Sequence, residues 1–212
     1  MNSILSKNLQ ALADFSPKPL YVVGGAVRDF LSQRQAPVLD LDLSSPMLVE
    51  EFLPIAEQFG FKATAVYKQT GTIKLKDEQG QDYEYTCFRS DKYVRGIHTP
   101  TEIFFTEDIE LDCRRRDFTA NAIYYDIKQG IFVDPLNGIE AIKRKKLITV
   151  DNPEKVFGED GLRLMRLARQ TAQLGFTPDE QTLAGAKKKA KLIRDISVER
   201  IYTELLAILH AD

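Results

Sequence analysis

Residues 20–43 read LYVVGGAVRDFLSQRQAPVLDLDL. LYVV (20–23) is a short apolar strand-forming run, followed directly by Gly24 and Gly25 and then a helical stretch with Arg28 and Asp29 in its first turn. Glycines at that place let backbone N–H groups approach an anion closely, and a helix start favours negative charge. VLDLDL (38–43) alternates, so as a strand it sets Leu39, Leu41 and Leu43 on one side and Asp40 and Asp42 on the other. Two carboxylates on one face repel each other and desolvate poorly, so they must be solvated or compensated by cations. The dinucleotide fingerprint does not fit, because its third glycine is missing, and there is no Gly-Lys dipeptide to make a phosphate-binding P-loop. An anion-binding turn followed by a cation-binding Asp pair points to nucleotidyl transfer instead.

Outward from this stretch, GTIKLK (71–76), DYEYTCF (82–88), AIYYDI (122–127) and IFVD (131–134) read as further strands. Ser45-Pro46 and the apolar periodicity up to Phe59-Gly60 predict a capped helix between them. In DYEYTCF, Glu84 lies on the face opposite Tyr83, Tyr85 and Cys87 and offers the third carboxylate that a two-metal site needs; Asp82 shares that face and is the rival candidate. Beyond Asn152 the signal is helical only: a start at Asn152-Pro153, a helix over Leu162 to Leu174 before Gly175, a basic helix after Pro178, and Ser197 to His210. The organisation expected is an α/β head over residues 1–149 and a helical extension over 150–212, too small to bury a core alone. Its last helix carries Val198, Ile201, Leu205, Ile208 and Leu209 on one face, which needs the preceding helix or another partner to cover it.

With 212 residues, 43% hydrophobic and 28% charged, the composition is that of a globular protein with one core plus an appendage; disordered, collagenous and disulfide-scaffold classes are excluded. No apolar run approaches the ~18 residues of a membrane span. The start, MNSILSKNLQALADF, lacks the layout of a secretory signal, so a cytoplasmic location is expected. Cys87, Cys113, His98 and His210 have no metal-ligand spacing. A net charge of −2 gives no hint of a nucleic-acid partner, although basic residues cluster at Arg114 to Arg116, Lys143 to Lys146, Arg163/Arg166/Arg169 and Lys187 to Lys191.

GGAVRD (24–29), the Asp40-x-Asp42 pair, RRDFTAN (115–121), DPLNG (134–138) and EDGLRLMRLAR (159–169) resemble, in order, the motifs of class II (bacterial-type) tRNA nucleotidyltransferases, CCA-adding enzymes among them, and of the related bacterial poly(A) polymerases. The resemblance implies an α+β fold: a nucleotidyltransferase-type mixed β-sheet head with helices on one side, followed by an all-α neck that carries a nucleobase-recognition helix. It implies template-independent addition of C and A to RNA 3′ ends, CCA addition to tRNA, from CTP and ATP with two Mg²⁺ ions and release of pyrophosphate. Asp40 and Asp42 then resemble the Mg²⁺ ligands and Glu84 the third acidic residue. Gly25 and Arg28, beside Gly24, resemble triphosphate contacts. Arg116 and Asp117, with Asn121, resemble the motif that holds the ribose, and Asp134 to Gly138 a flexible element between head and neck.

The sequence departs from the family pattern at Leu39, where a polar or basic residue often stands, at Thr70 in place of a His, and at Gly161 in place of Pro or Ala. The family continues into helical body and tail domains that hold the tRNA, and the 212 residues do not include them. CC-adding, A-adding and poly(A)-forming enzymes share every motif named. The segment from Arg89 to Pro100, with His98, resembles the family loop that separates these activities. An inactive RNA-binding module is the alternative from another class.

Asp160 and Arg163, three residues apart on an expected helix, would share a face. Asp offers only acceptors and Arg only donors. Cytosine and adenine both present an exocyclic amino donor beside a ring-nitrogen acceptor, whereas uracil and guanine present the reverse. Such a pair accepts C and A and rejects U and G without a template, and unpaired buried groups discriminate by about 10⁴. Arg166 and Arg169 continue the same basic stripe, bracing the helix or contacting phosphates.

Overall fold

The computed structural model describes residues 1, 4–34, 40–94 and 96–210. In order the elements are α1 (Lys7–Phe15), β1 (Tyr21–Val23), α2 (Gly25–Leu31), β2 (Asp40–Ser45), α3 (Val49–Gln58), β3 (Lys62–Tyr67), β4 (Thr72–Lys76), β5 (Asp82–Cys87), β6 (Arg89–Lys92), β7 (Glu102–Phe105), α4 (Ile109–Arg114), β8 (Tyr124–Asp126), β9 (Ile131–Val133), α5 (Gly138–Lys143), β10 (Lys146–Leu147), α6 (Pro153–Glu159), α7 (Leu162–Leu174), β11 (Thr177–Pro178), α8 (Glu180–Lys189) and α9 (Val198–Leu209). Val38 and Leu39, the predicted start of the Asp-bearing strand, lie outside the described residues, as does Arg95 of the 89–100 segment.

Alternation decides which way the central sheet faces. β2 buries Leu41 and Leu43 and leaves Asp40 and Asp42 open; β4 buries Ile73 and Leu75; β5 buries Tyr83, Tyr85 and Cys87. The seven strands run in the order β3-β4-β5-β2-β1-β8-β9. β2 and β5 are parallel, while the other neighbours pair antiparallel, which makes the sheet mixed. A parallel pair needs a crossover, here α3, β3 and β4. Its register sets Asp42 beside Glu84 and Asp40 beside Asp82 on the open face.

The apolar face packs on α1 and α3, with Leu9, Leu12 and Phe52 fully buried and the Phe52 ring stacked 3.7 Å from that of Tyr85. A smaller cluster of Val23, Phe88, Cys113, Tyr124 and Val156 brings α4 and α6 against the opposite face at the β1/β8 end. The β2/β5/β4 part of that face stays open.

Two local expectations are corrected. Ser45 does not start the predicted helix: it ends β2, where its carbonyl accepts from Phe88 N, and α3 begins at Val49 with Glu51 Oε2 accepting from Leu48 N. The apolar stripe assigned to the last helix splits. Glu204 is the buried residue of α9, bonded to Arg169, while Val198 and Leu209 are 76% and 71% exposed. Polar contacts dock α9 on α7; Val198, Leu205 and Leu209 turn outward, while Ile201 and Ile208 stay half-buried.

The helical extension shares the head's core through Phe157, Leu164, Leu167 and Phe176. It also adds a two-residue parallel pairing, Lys146 with Thr177 and Leu147 with Pro178, which ties the chain on either side of residue 149 together. α6 starts where expected, with Asn152 Oδ1 accepting from Glu154 N and Pro153 at the first helical position. Among the described residues no helix is long and apolar enough to cross a membrane.

Candidate active site

The C-terminal end of β1, the start of α2, the open face of β2 and the N-terminal half of α7 enclose a cleft of about 560 Å³. Gly24, Gly25, Arg28, Asp40, Asp42, Arg116, Asp117, Asn121, Asp160, Arg163, Arg166 and Arg169 all line it. Glu84 does not; it lies in an adjoining groove that shares Asp40 with the cleft.

Gly24 closes the turn over the Asp pair. Its φ of 81° is in the left-handed region, and a Cβ there would stand 2.6 Å from Asp42 Oδ2, so only glycine lets the backbone come this close. The α2 residue Arg28 is clamped from two sides, Nη1 donating to Asn121 Oδ1 at 2.8 Å and Nε to Asp29 Oδ1 at 2.9 Å.

Neither Asp40 nor Asp42 has a hydrogen-bond or ion-pair partner among the described residues. Water reaches Asp42 through the cleft mouth, yet protein surrounds the rest of its carboxylate. That lost hydration, aided by Glu84 and Asp40 and opposed by Arg116 and Arg166, pushes it up to about 6. Among the described residues no three His, Cys, Asp or Glu side chains stand close enough to hold a metal ion by themselves. Mg²⁺ fits such a place nevertheless, because it is usually bound by one or two carboxylates with substrate phosphates and waters completing its shell. Of the two candidate third carboxylates, Asp82 is compensated by Lys76 at 3.3 Å, and Glu84 acts on Asp42.

Buried carboxylates hold the cleft's guanidinium groups in place. Asp112 is fully buried, accepting from Arg115 Nε at 2.7 Å, Arg116 Nη2 at 3.1 Å, Arg89 N at 3.1 Å and the Tyr124 hydroxyl. Burial alone would raise its pKa, but Arg115 and Arg116 outweigh that and hold it at about 2. Asp117 accepts from Arg166 Nε at 2.8 Å, Asn121 Nδ2 at 2.9 Å and Phe118 N at 2.8 Å. Burial works against its ionised form too, and Arg166 and Asn121 keep it far below the ordinary carboxylate range. With its oxygens so occupied, Asp117 organises Asn121 and Arg166, and through Asn121 also Arg28.

The expected helical pair takes a different form. Asp160 is not on a helix: it is extended (φ −141°, ψ 108°) in the break between α6 and α7. Its Oδ1 accepts from Leu162 N at 3.0 Å and its Oδ2 from Arg200 Nη2 at 2.7 Å. Arg163, 6% exposed, bonds the carbonyls of Val156 and Arg115 and Glu159 Oε2, and stacks over Tyr93. Asp160 and Arg163 line one cleft without pairing on one helix face. Gly161 has a reason to be glycine, since a Cβ would stand 3.0 Å from Leu192 O. Arg169 braces α7 against α9 through Glu204 at 2.6 Å.

Arg115, Leu162, Gln170 and Arg200 also line the cleft and were not predicted as site residues. Gln170 was findable, one helical turn beyond Arg166; it donates to Asp117 Oδ2 at 3.4 Å. Nothing in the sequence singles out Arg200. His98 docks the 89–100 segment here: its Nδ1 accepts from Gly161 N and its carbonyl from Arg200 Nη1, both at 3.1 Å. Seven arginines against four aspartates leave the described lining net positive, as a polyphosphate requires.

Residues 20–148 match the model of the poly A polymerase head domain, and residues 175–212 that of a probable RNA and SrmB-binding site of polymerase A. The chain belongs to the poly A polymerase head-domain family. Among its relatives, the CCA-adding enzyme of Geobacillus kaustophilus (strain HTA426) is 39% identical over 89% of this chain and 45% of its own length. That of Lactobacillus helveticus (strain DPC 4571) is 38% identical over 88% and 45%. The Bacillus stearothermophilus CCA-adding enzyme, solved in complex with CTP, superposes with a TM-score of 0.81 at 34% identity, covering 97% of this chain and 49% of that one. The Thermotoga maritima enzyme complexed with tRNA_CCA shares the fold, with a TM-score of 0.79 at 23% identity. The chain spans about half the length of these relatives.

Proposed function

We propose that residues 1–149 are the catalytic head and residues 150–212 the neck of a cytoplasmic, template-independent RNA 3′-end nucleotidyltransferase that completes the CCA end of tRNA from CTP and ATP, releasing pyrophosphate. The observation that carries this is the Asp40/Asp42 pair, without a hydrogen-bond or ion-pair partner among the described residues, in a cleft lined by seven arginines. Such a cleft takes a polyanion only with cations at the carboxylates, which is the charge pattern of a metal nucleoside triphosphate. Similarity to the B. stearothermophilus enzyme, solved with CTP, supports the same substrate class.

In this reading Arg28 and the turn at Gly24 and Gly25 bind the triphosphate. Arg116, its guanidinium held by Asp112 and Tyr124, would hold the ribose. Mg²⁺ bound at Asp40 and Asp42 would supply the charge that activates the RNA 3′-hydroxyl and stabilises the leaving group. Asp160, held by Arg200, is the acceptor for the exocyclic amine of cytosine or adenine. Arg163 keeps donors beyond the three bonds it makes, since a guanidinium carries five N–H groups.

Primer extension on tRNA lacking CCA, with each nucleotide alone and all four together, tests this. Addition of two C residues from CTP and a final A with ATP is the expected result. Extension by C only, by A only, or by A without limit assigns one of the related activities, and no extension in the presence of Mg²⁺ overturns the reading.

A further inference from the structure

The groove beside the cleft runs over the open face of β5 and β4 with a volume of about 370 Å³, lined among others by Asp40, Thr64, Lys74 and Glu84. Its cross-strand rows are set by register: Asp42 beside Glu84 beside Lys74, and Asp40 beside Asp82 beside Lys76. Lys76 is occupied, 3.3 Å from Asp82. The exposed Lys74 ammonium has no hydrogen bond or ion pair among the described residues, although Glu84 stands beside it on β5; its neighbour on β3 is Ala65. At the far wall the chain slips register between Ala63 and Ala65, which sets Thr64 over β4 with its hydroxyl on the Lys74 carbonyl.

Nucleotidyl transfer is an in-line displacement. The RNA 3′-oxygen forms its bond to the α-phosphorus as the bond to the bridging oxygen breaks; pyrophosphate leaves with that electron pair, and the hydroxyl proton passes to water. The attacking and leaving oxygens therefore lie on opposite sides of the reacting phosphorus. With the arginines on the triphosphate side, the acceptor enters from the other side of the Asp pair, where the groove shares Asp40 with the cleft. Lys74 is two strands from Asp42, about 10 Å at the backbone. A lysine there reaches the phosphate of a nucleotide whose 3′-hydroxyl sits at Asp40 and Asp42. We propose, resting on the nucleotidyl-transfer reading of the cleft, that this groove holds the 3′-terminal nucleotide of the acceptor RNA, with the Lys74 ammonium on its phosphate.

The test compares the wild-type chain with Lys74→Glu, Lys74→Ala and a control reversal far from the groove, Lys7→Glu. Fluorescein-labelled tRNA lacking CCA is titrated without nucleotide at several salt concentrations, CTP binding is measured separately, and extension is run at varied RNA. Both Lys74 variants are expected to bind RNA about tenfold more weakly and to raise KM for RNA alike. Lys74→Ala should flatten the salt dependence by about 0.7 in slope, one single-strand phosphate contact. CTP affinity stays unchanged, which also reports an intact fold, and Lys7→Glu behaves as wild type. The loss is the same whichever base ends the RNA, because a lysine on phosphate reads no sequence. If the wild-type chain extends RNA and Lys74→Glu matches it in KM and slope, the groove assignment is overturned alone. A wild-type chain that binds neither CTP nor RNA overturns the reading of the cleft and this inference with it.

Discussion

Arg200 reaches from the last helix to Asp160, Nη2 to Oδ2 at 2.7 Å, and with its other terminal nitrogen holds the carbonyl of His98 at 3.1 Å. One guanidinium thus ties the acceptor proposed to read the base to both α9 and the 89–100 segment. Each Asp160 oxygen accepts one bond, so each keeps acceptor capacity for a nucleobase amine.

Arg200→Ala is expected to lower kcat/KM for CTP and ATP by about tenfold, the worth of one charged hydrogen bond, while barely changing thermal stability. Partly exposed ion pairs contribute only about 0–1 kcal/mol to folding. Extension kinetics beside a melting curve separates the two: a large fall in Tm with unchanged kinetics would make the contact structural only.

Asp42→Asn should abolish extension and Mg²⁺-dependent nucleotide binding while preserving the fold. Undiminished turnover would remove Asp42 from the metal site.

The pH dependence of that residue has a definite sign. In the metal-free protein the Asp42 carboxyl is raised to about 6, above its unfolded value. Its folded form binds the proton more tightly, so its contribution to stability is fully present below the unfolded pKa and is lost as pH rises through about 6. Asp42→Asn, which stays neutral, should therefore gain on the wild type in metal-free denaturant titrations between pH 4 and pH 7. Added Mg²⁺ should narrow that gap, because it favours the ionised form. Equal pH profiles for the two proteins would contradict the shift.

Asp112 touches no cleft water but holds Arg115 and Arg116. Asp112→Ala leaves two guanidinium groups and the Tyr124 hydroxyl without their buried acceptor, and breaking a buried pair from one side costs about 3–5 kcal/mol. Urea unfolding should show a loss of that size. A change below about 1 kcal/mol would mean that water replaces the carboxylate.

The strands were legible because period two is a local signal. Leu41 and Leu43 against Asp40 and Asp42 fixes a face wherever the strand pairs, and Glu84 follows from the same rule on β5. The helix break at Asp160 was not legible, because EDGLRLMRLAR keeps its periodicity on both sides while the backbone at Asp160 turns extended. Arg200 was hidden for another reason: its partner is forty positions earlier, and only the docking of α9 on α7 joins them. Ser45 carries a good capping side chain, but the parallel pairing with β5 continues through Cys87, and that tertiary pairing keeps it in the strand.

Asp160 and Arg163 should now part company under mutation. Asp160 reaches the cleft with spare acceptor capacity, so Asp160→Ala is expected to remove most of the preference for CTP and ATP over UTP and GTP and to slow incorporation, with little cost in stability. Arg163 is 6% exposed and spends three donors on α6 and the Arg115 carbonyl, leaving two that can face a base. Arg163→Ala strands those buried acceptors, and at about 1–3 kcal/mol for each buried group left unpaired it should destabilise the fold by several kcal/mol. Competition among the four nucleotides, run beside denaturant unfolding of both variants, makes the distinction. Unchanged base preference in Asp160→Ala would show that the carboxylate serves α9 and the helix break rather than the nucleobase.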